Sequence, residues 1–414
     1  MSPVLPFDII FLIIHIVGEN EDTNLFKELA LVSHSFHQIC SKHLFATVEL
    51  HDANPRRNVA SSKKGFVKLL NSRPGVVKYI RKLTYEMGFD DDDGLLSPIL
   101  PNFLRTISGL NTLKISGKDS MSDWNELNCS VTSVFLHLMH LPTVNHIDLS
   151  LIENFPLSSF TPSVNLHRLD IFRVDPSDQI KEDGEPEDDG SLIFVQSGMM
   201  PKLREFHISD SGLMAKQLLL AQGQDGRPAF NFKDLIGLSV AFGLDPFLDE
   251  QIIRYGLQNA KLIEKLRLSV GRGHTLVDLD DVLSLRASTL KVLDLTVSLY
   301  DESISVLPGG IYEELEALAG RNILETLSLK VYLNARETET ADFIGLIIQK
   351  VERVLVKPGW SALRQVSFEV FCYTLENRAK LSEALQSLPG NYIGHLSKLV
   401  SVAFNCLVRD GYII

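Results

Sequence analysis

One pattern recurs along nearly the whole chain: a large apolar residue, two of any kind, a second apolar residue, one of any kind, and a third. It is met at Ile80-Leu83-Tyr85, Leu110-Leu113-Ile115, Val144-Ile147-Leu149, Leu166-Leu169-Ile171, Leu203-Phe206-Ile208 and Leu235-Leu238-Val240. It continues at Ile263-Leu266-Leu268, Leu290-Leu293-Leu295, Leu324-Leu327-Leu329, Leu363-Val366-Phe368 and Leu399-Val402-Phe404. These eleven copies begin 22 to 39 residues apart. The last two positions alternate with period two, which describes a strand with one buried face, and the first position turns inward from the preceding bend. The intervals carry apolar residues at helical spacing, as from Leu248 to Leu257 and from Phe343 to Leu355. Strand and helix returning in order predict an α/β repeat array, a solenoid with a parallel sheet on one side and helices on the other. The competing reading is an ordinary multi-domain α/β protein, with one hexad per amphipathic strand.

The unit resembles the leucine-rich repeat, which also sets a strand and a helix in each copy. The resemblance implies that the strands line a concave wall. Two departures predict an irregular array with a variable convex side. The repeats run longer than the roughly 20 to 29 residues usual for the class, and the asparagine expected after the hexad is missing, Lys118 standing three positions after Ile115. The residue between the two inward positions should then face solvent on the wall. Read off in order, such residues include Lys114, Asp148, Asp170, His207, Arg267 and Asp294, with Arg168 and Glu205 beside them. These eight are the candidate target-binding positions. The strip so defined is mixed in charge and poor in large aromatics, the usual anchors of an interface.

The first fifty residues follow a different rule. Leu5 and Pro6 open an apolar stretch that ends at Val17, with proline at the position where its missing N–H costs least and Asp8 in the first turn, at the positive end of the helix dipole. Ile9, Ile10, Ile13, Ile14, Ile16 and Val17 paint more than half of that helix apolar. A second helix is expected over Leu25 to Val32 and a third, after a break at Ser33, over Phe36 to Cys40. Three short helices bury too little to be stable alone, so the surplus apolar face reads as an interface. Leu5-Pro6-x-Asp8-Ile9-Ile10, Ile13-Ile14, Leu29-x-Leu31-Val32-Ser33-x-x-Phe36 and Leu44-Phe45 resemble the F-box, with Phe36 where many members carry tryptophan. Arg73-Pro74 and Val77-x-x-Ile80-Arg81-x-Leu83 look like the continuation found in the expanded fungal families. The resemblance implies an F-box over 1–50, a linking or capping segment over 51–78 and a solenoid over 79–414. It also implies a non-catalytic substrate receptor of an SCF-type ubiquitin ligase. Leu5, Pro6, Ile9, Ile10, Ile13, Val32 and Phe36 would lie on or directly support the surface that binds a Skp-family adaptor joined to a cullin scaffold, and the solenoid would hold an unidentified target protein. The alternative is a leucine-rich scaffold without a ligase role, its N-terminal helices serving as a cap.

Composition narrows the function classes. The net charge is −12, with no polybasic patch, which argues against a sequence-independent grip on nucleic acid. The segment from Asp175 to Gly190 contributes −7 of this and Asp90 to Asp93 a further −4, leaving the remainder nearly neutral. Both acidic runs fall between hexads and read as hydrated insertions, the longer one being the better placed to meet a basic partner. The four cysteines form no CxxC pair, which suits a reducing compartment, cytosolic or nuclear. The apolar N-terminal run is shorter than the roughly 20 residues of a membrane span and has no basic flank, so no membrane role is expected. His34, His37 and His43 fall close together with Cys40, but a small apolar helix residue explains that cysteine better than a zinc ligand does. No H-E-x-x-H, G-x-S-x-G or phosphate-cradling glycine motif is present, and no cofactor is expected.

Overall fold

The computed structural model describes residues 23–51, 62–88, 99–118, 120–160, 162–177, 201–223, 228–241, 246–270, 286–299, 311–334, 339–374 and 378–410, with Ile9, Ile14, Leu283 and 194–195. The chain forms two compact units, Met1–Pro201 with Gly223–Asp225, and Lys202–Gln222 with Gly226–Ile414.

In the first unit α1 (Thr23–Leu29) and α2 (His34–Leu44) lead into β1 (Thr47–Leu50). Ser33 separates the two helices because its hydroxyl accepts the N–H of Phe36 at 3.3 Å, a side-chain cap that starts α2. Then come α3 (Lys63–Ser72), capped in the same way by Ser62, β2 (Lys82–Met87), α4 (Ile99–Leu104), β3 (Thr112–Gly117), α5 (Cys129–Met139), β4 (His146–Phe155) and β5 (Arg168–Pro176). These strands pair in parallel and in chain order, with Leu83 opposite Leu113, Leu113 opposite Ile147 and Ile147 opposite Leu169. The register therefore stacks equivalent hexad positions, and a continuous apolar column runs through the unit.

The second unit repeats the plan. It contains β6 (Glu205–Ser209), α6 (Gly212–Leu220), β7 (Gly237–Ala241), α7 (Pro246–Asn259), β8 (Lys265–Val270) and β9 (Val292–Leu299). After these come α8 (Ile311–Leu318), β10 (Thr326–Asn334), α9 (Glu339–Leu355), β11 (Gln365–Thr374), α10 (Arg378–Tyr392) and β12 (Ser401–Asp410). From β6 to β12 each strand is again parallel to its predecessor in the chain. Helices α7 and α9 contain the two intervals in which helical spacing is legible in the sequence. Each unit is thus a parallel sheet built from an irregular α/β repeat.

Ten of the eleven hexads are buried at all three apolar positions, from Ile80-Leu83-Tyr85 to Leu363-Val366-Phe368. A bend between repeats is held by a side chain that reaches the next repeat: Asn322 donates its amide N–H to the carbonyl oxygens of Leu318 and Gly359. Glu352 on α9 accepts the backbone N–H groups of His395 and Leu396, fixing the short turn before β12.

Leu293→Ala, in the middle of an apolar column, should destabilise its unit by about 2 to 5 kcal/mol in urea unfolding, whereas Leu399→Ala should change stability by less than about 0.5 kcal/mol.

Candidate interaction surfaces

The outward positions of the strands show what the repeat offers to a partner. Thr84, Lys114, Asp148 and Asp170 follow one another across β2 to β5, and His207, Ser239, Arg267, Asp294, Ser328 and Ser367 across β6 to β11, as the hexad spacing predicts. Most of the charges at these positions meet each other. The Lys114 ammonium is 2.9 Å from the Asp148 carboxylate on the next strand, and the Arg267 guanidinium donates to Asp294 at 3.1 Å. Asp148 and Asp170 stand directly opposite, an arrangement that would repel. It is relieved because Arg168 donates to both oxygens of Asp170, at 2.8 to 3.1 Å, while His146 lies 3.0 Å from the same carboxylate. Glu205 and His207 on β6 are half-buried. Four of the eight positions thus lie on the open face of each unit's sheet; Lys114–Asp148 and Arg267–Asp294 tie neighbouring strands, while Asp170 is tied to the adjacent strand by His146 and braced from within β5 by Arg168.

The same alternation continues beyond the hexads in the second unit, where β9 to β12 run on for several more residues. Lys330 pairs with Glu369 at 3.1 Å. One step further along, Tyr332 lies opposite Phe371 and Phe371 opposite Leu407. The rings of Tyr332 and Phe371 are stacked, 4.6 Å between centroids and 8° between planes, while Leu407 is 40% exposed. Tyr373 follows on β11 opposite Arg409 on β12. The open face thus has a row of aromatic and aliphatic side chains, which the hexad scan misses because it stops at the third apolar position. The signal was present as the run Leu327-Ser-Leu-Lys-Val-Tyr-Leu333 and its counterpart Val366-Ser-Phe-Glu-Val-Phe-Cys372, strict alternations that continue after the hexad.

A second surface lies at the N-terminal helices. Ile14 packs with Phe26, Ile39 and Cys40, and Leu29, Ala30, Phe36 and Leu44 close over that cluster. Phe36 is accordingly a partly buried support of the core. Val32 is 66% exposed and its neighbour Leu31 87%, both in the turn between α1 and α2, and Ile9 is exposed as well. Leu5, Pro6, Ile10 and Ile13 lie outside the described residues, as do the acidic segments 90–93 and 178–190. His43 stacks on Phe26 with ring centroids 5.0 Å apart, and Arg73 donates to the His37 ring at 3.3 Å. Among the described residues no group of three or more His, Cys, Asp or Glu is placed to hold a metal ion, and no helix is long and apolar enough to cross a membrane.

Burial pushes the Cys406 thiol up to about 11 and the Cys372 thiol further in the same direction, the neighbouring Cys406 adding to the effect. Neither forms much thiolate near neutral pH. No family model matches the chain, and comparison with curated proteins finds no match.

Two outcomes follow. A double-mutant cycle on Lys114→Ala and Asp148→Ala should give a coupling of about 0.2 to 1 kcal/mol, as for other half-exposed pairs. Maleimide labelling of the native protein at pH 7.5 should modify the exposed Cys129 first, with Cys372 reacting only after unfolding, as read by peptide mass spectrometry.

Proposed function

We propose that the chain is a protein-interaction scaffold that presents the open face of its repeat sheets to a partner. The stacked Tyr332–Phe371 pair beside exposed Leu407 carries this reading. Aromatic side chains on a preformed surface lose little entropy on binding and are enriched among the residues that dominate interface energies, while exposed ion pairs contribute little. The paired charges around them supply register and orientation, and the aromatic row supplies affinity. Its role is to hold a partner in place and raise its effective concentration.

A second, narrower reading is supported by the exposed Leu31–Val32 turn and by the resemblance of the first fifty residues to the F-box. Solvent-facing leucine and valine in a turn beside a well-packed helical cluster give an exposed apolar patch of the kind an adaptor would cover. In that reading the N-terminal helices bind a Skp-family adaptor, a cullin scaffold is engaged through it, and the solenoid serves as the substrate receptor of a ubiquitin ligase, in the cytosol or nucleus.

The two readings separate by experiment. A photo-crosslinking residue at position 371 should capture partner protein at least about tenfold more efficiently than one at Gln251 on α7, and Tyr332→Ala should reduce that capture with the circular dichroism spectrum unchanged. Equal capture at both positions overturns the open-face assignment. A Leu5→Ala, Pro6→Ala variant and a Leu31→Asp, Val32→Asp variant should each lose co-purification with the Skp-family protein; undiminished co-purification overturns the ligase reading and leaves the scaffold reading standing.

A further inference from the structure

The eleventh hexad departs from the rule that the other ten obey. Leu399 is 64% exposed, and Val402 and Phe404 are half-exposed, whereas Leu363, Val366 and Phe368 one strand earlier are buried. The cause is position. β12 stands at the end of the strand order and, among the described residues, pairs only with β11. One side of its ten-residue backbone therefore has no ladder partner among the described residues, and its inward side chains have a neighbour on one flank only. Long, exposed edges with apolar side chains are templates for a further strand.

The side chains along this edge specify what that strand should carry. Phe404 and Cys406 are half-exposed on the inward face, Leu407 is exposed on the open face, and Arg409 is exposed two residues on. Lys114, Arg168, Arg267 and Lys330 on the open face all meet a carboxylate, but among the described residues Arg409 is in no ion pair. We propose that an extended segment of a partner protein adds to β12 as a further parallel strand. Its inward residues are apolar and cover Phe404 and Cys406. Its outward residues are an aromatic or aliphatic side chain against Leu407, continuing the Tyr332–Phe371 row, and a carboxylate against Arg409. Main-chain bonds give such an added strand its affinity and alternate side chains its specificity. The inference rests on the scaffold reading above and adds the chemistry of the partner.

A second copy of the chain fits the edge less well. Two copies meeting there about a two-fold axis pair antiparallel, and like faces match only when residues of the same parity stand opposite each other. The single acid of β12, Asp410, has the parity opposite to Arg409, so no such register sets one against the other. Arg409 would face Ser401, Ala403, Asn405 or Leu407, or its own copy.

The test uses the full chain and a fluorescein-labelled nine-residue peptide, valine at alternate positions and serine between them. Two adjacent serine positions are replaced by phenylalanine and, two residues further on, glutamate. Fluorescence anisotropy should show saturable binding that weakens roughly tenfold or more in Arg409→Glu and recovers when lysine replaces the glutamate in the peptide, as charge reversal across a contact requires. N-methylation of the peptide's ladder-forming amides should abolish binding. Binding indifferent to the charge swap or to N-methylation overturns the proposal, as does absence of binding at millimolar peptide. A concentration-dependent dimer in sedimentation velocity that Phe404→Lys dissociates assigns the edge to a second copy and also overturns it. Crosslinking to partners from position 371 alongside failure of the peptide removes the edge proposal alone and leaves the scaffold reading intact.

Discussion

The structure depends on the parallel register that sets each hexad directly beside the next. A strand with period-two alternation presents one apolar face, and a single such strand can cover little of it. When Leu83, Leu113, Ile147 and Leu169 stand opposite one another, Leu113 and Ile147 are each flanked by two apolar side chains along the sheet. A slip of one residue between neighbours would turn a strand's entire apolar set toward solvent, so the pairing is strongly specified. The same constraint explains the exposure of Leu399, Val402 and Phe404: among the described residues their strand has a neighbour on one side, and part of its apolar face is uncovered.

Register also decides what the open face can do. Residues between the inward positions are brought level across strands, so Lys114 meets Asp148, Arg267 meets Asp294 and Lys330 meets Glu369. Side chains that look in sequence like an array of separate binding charges thereby become a set of lateral ties. Groups on the surface outside these ties include the Tyr332–Phe371 stack, Leu407 beside it, and the exposed Leu31–Val32 turn at the N-terminal helices.

Much of the repeat was legible beforehand. The three apolar positions of ten hexads, the helical spacing over 248–257 and 343–355, within helices that the structure extends to 246–259 and 339–355, and the break at Ser33 are local features, written in spacing and in capping chemistry. The aromatic row lies beyond the hexads, because strand length is set by whether the neighbouring strand runs on. Tyr332 faces Phe371 only because β10 and β11 both extend beyond their hexads. Phe36, which the F-box resemblance sets on or directly beneath the adaptor surface, packs over the cluster around Ile14 and Phe26, a contact that only the folded bundle shows.

By itself the sequence determined an α/β repeat, the buried face of each strand and the face left to solvent, because these follow from periodicities of two and 3.6 that need no distant partner. Only the tertiary structure decided which charges neutralise one another, which aromatics stack, and which strand has a single ladder partner among the described residues. Those are relations between residues some 20 to 40 positions apart, and they exist only once the strands have been set side by side in one register.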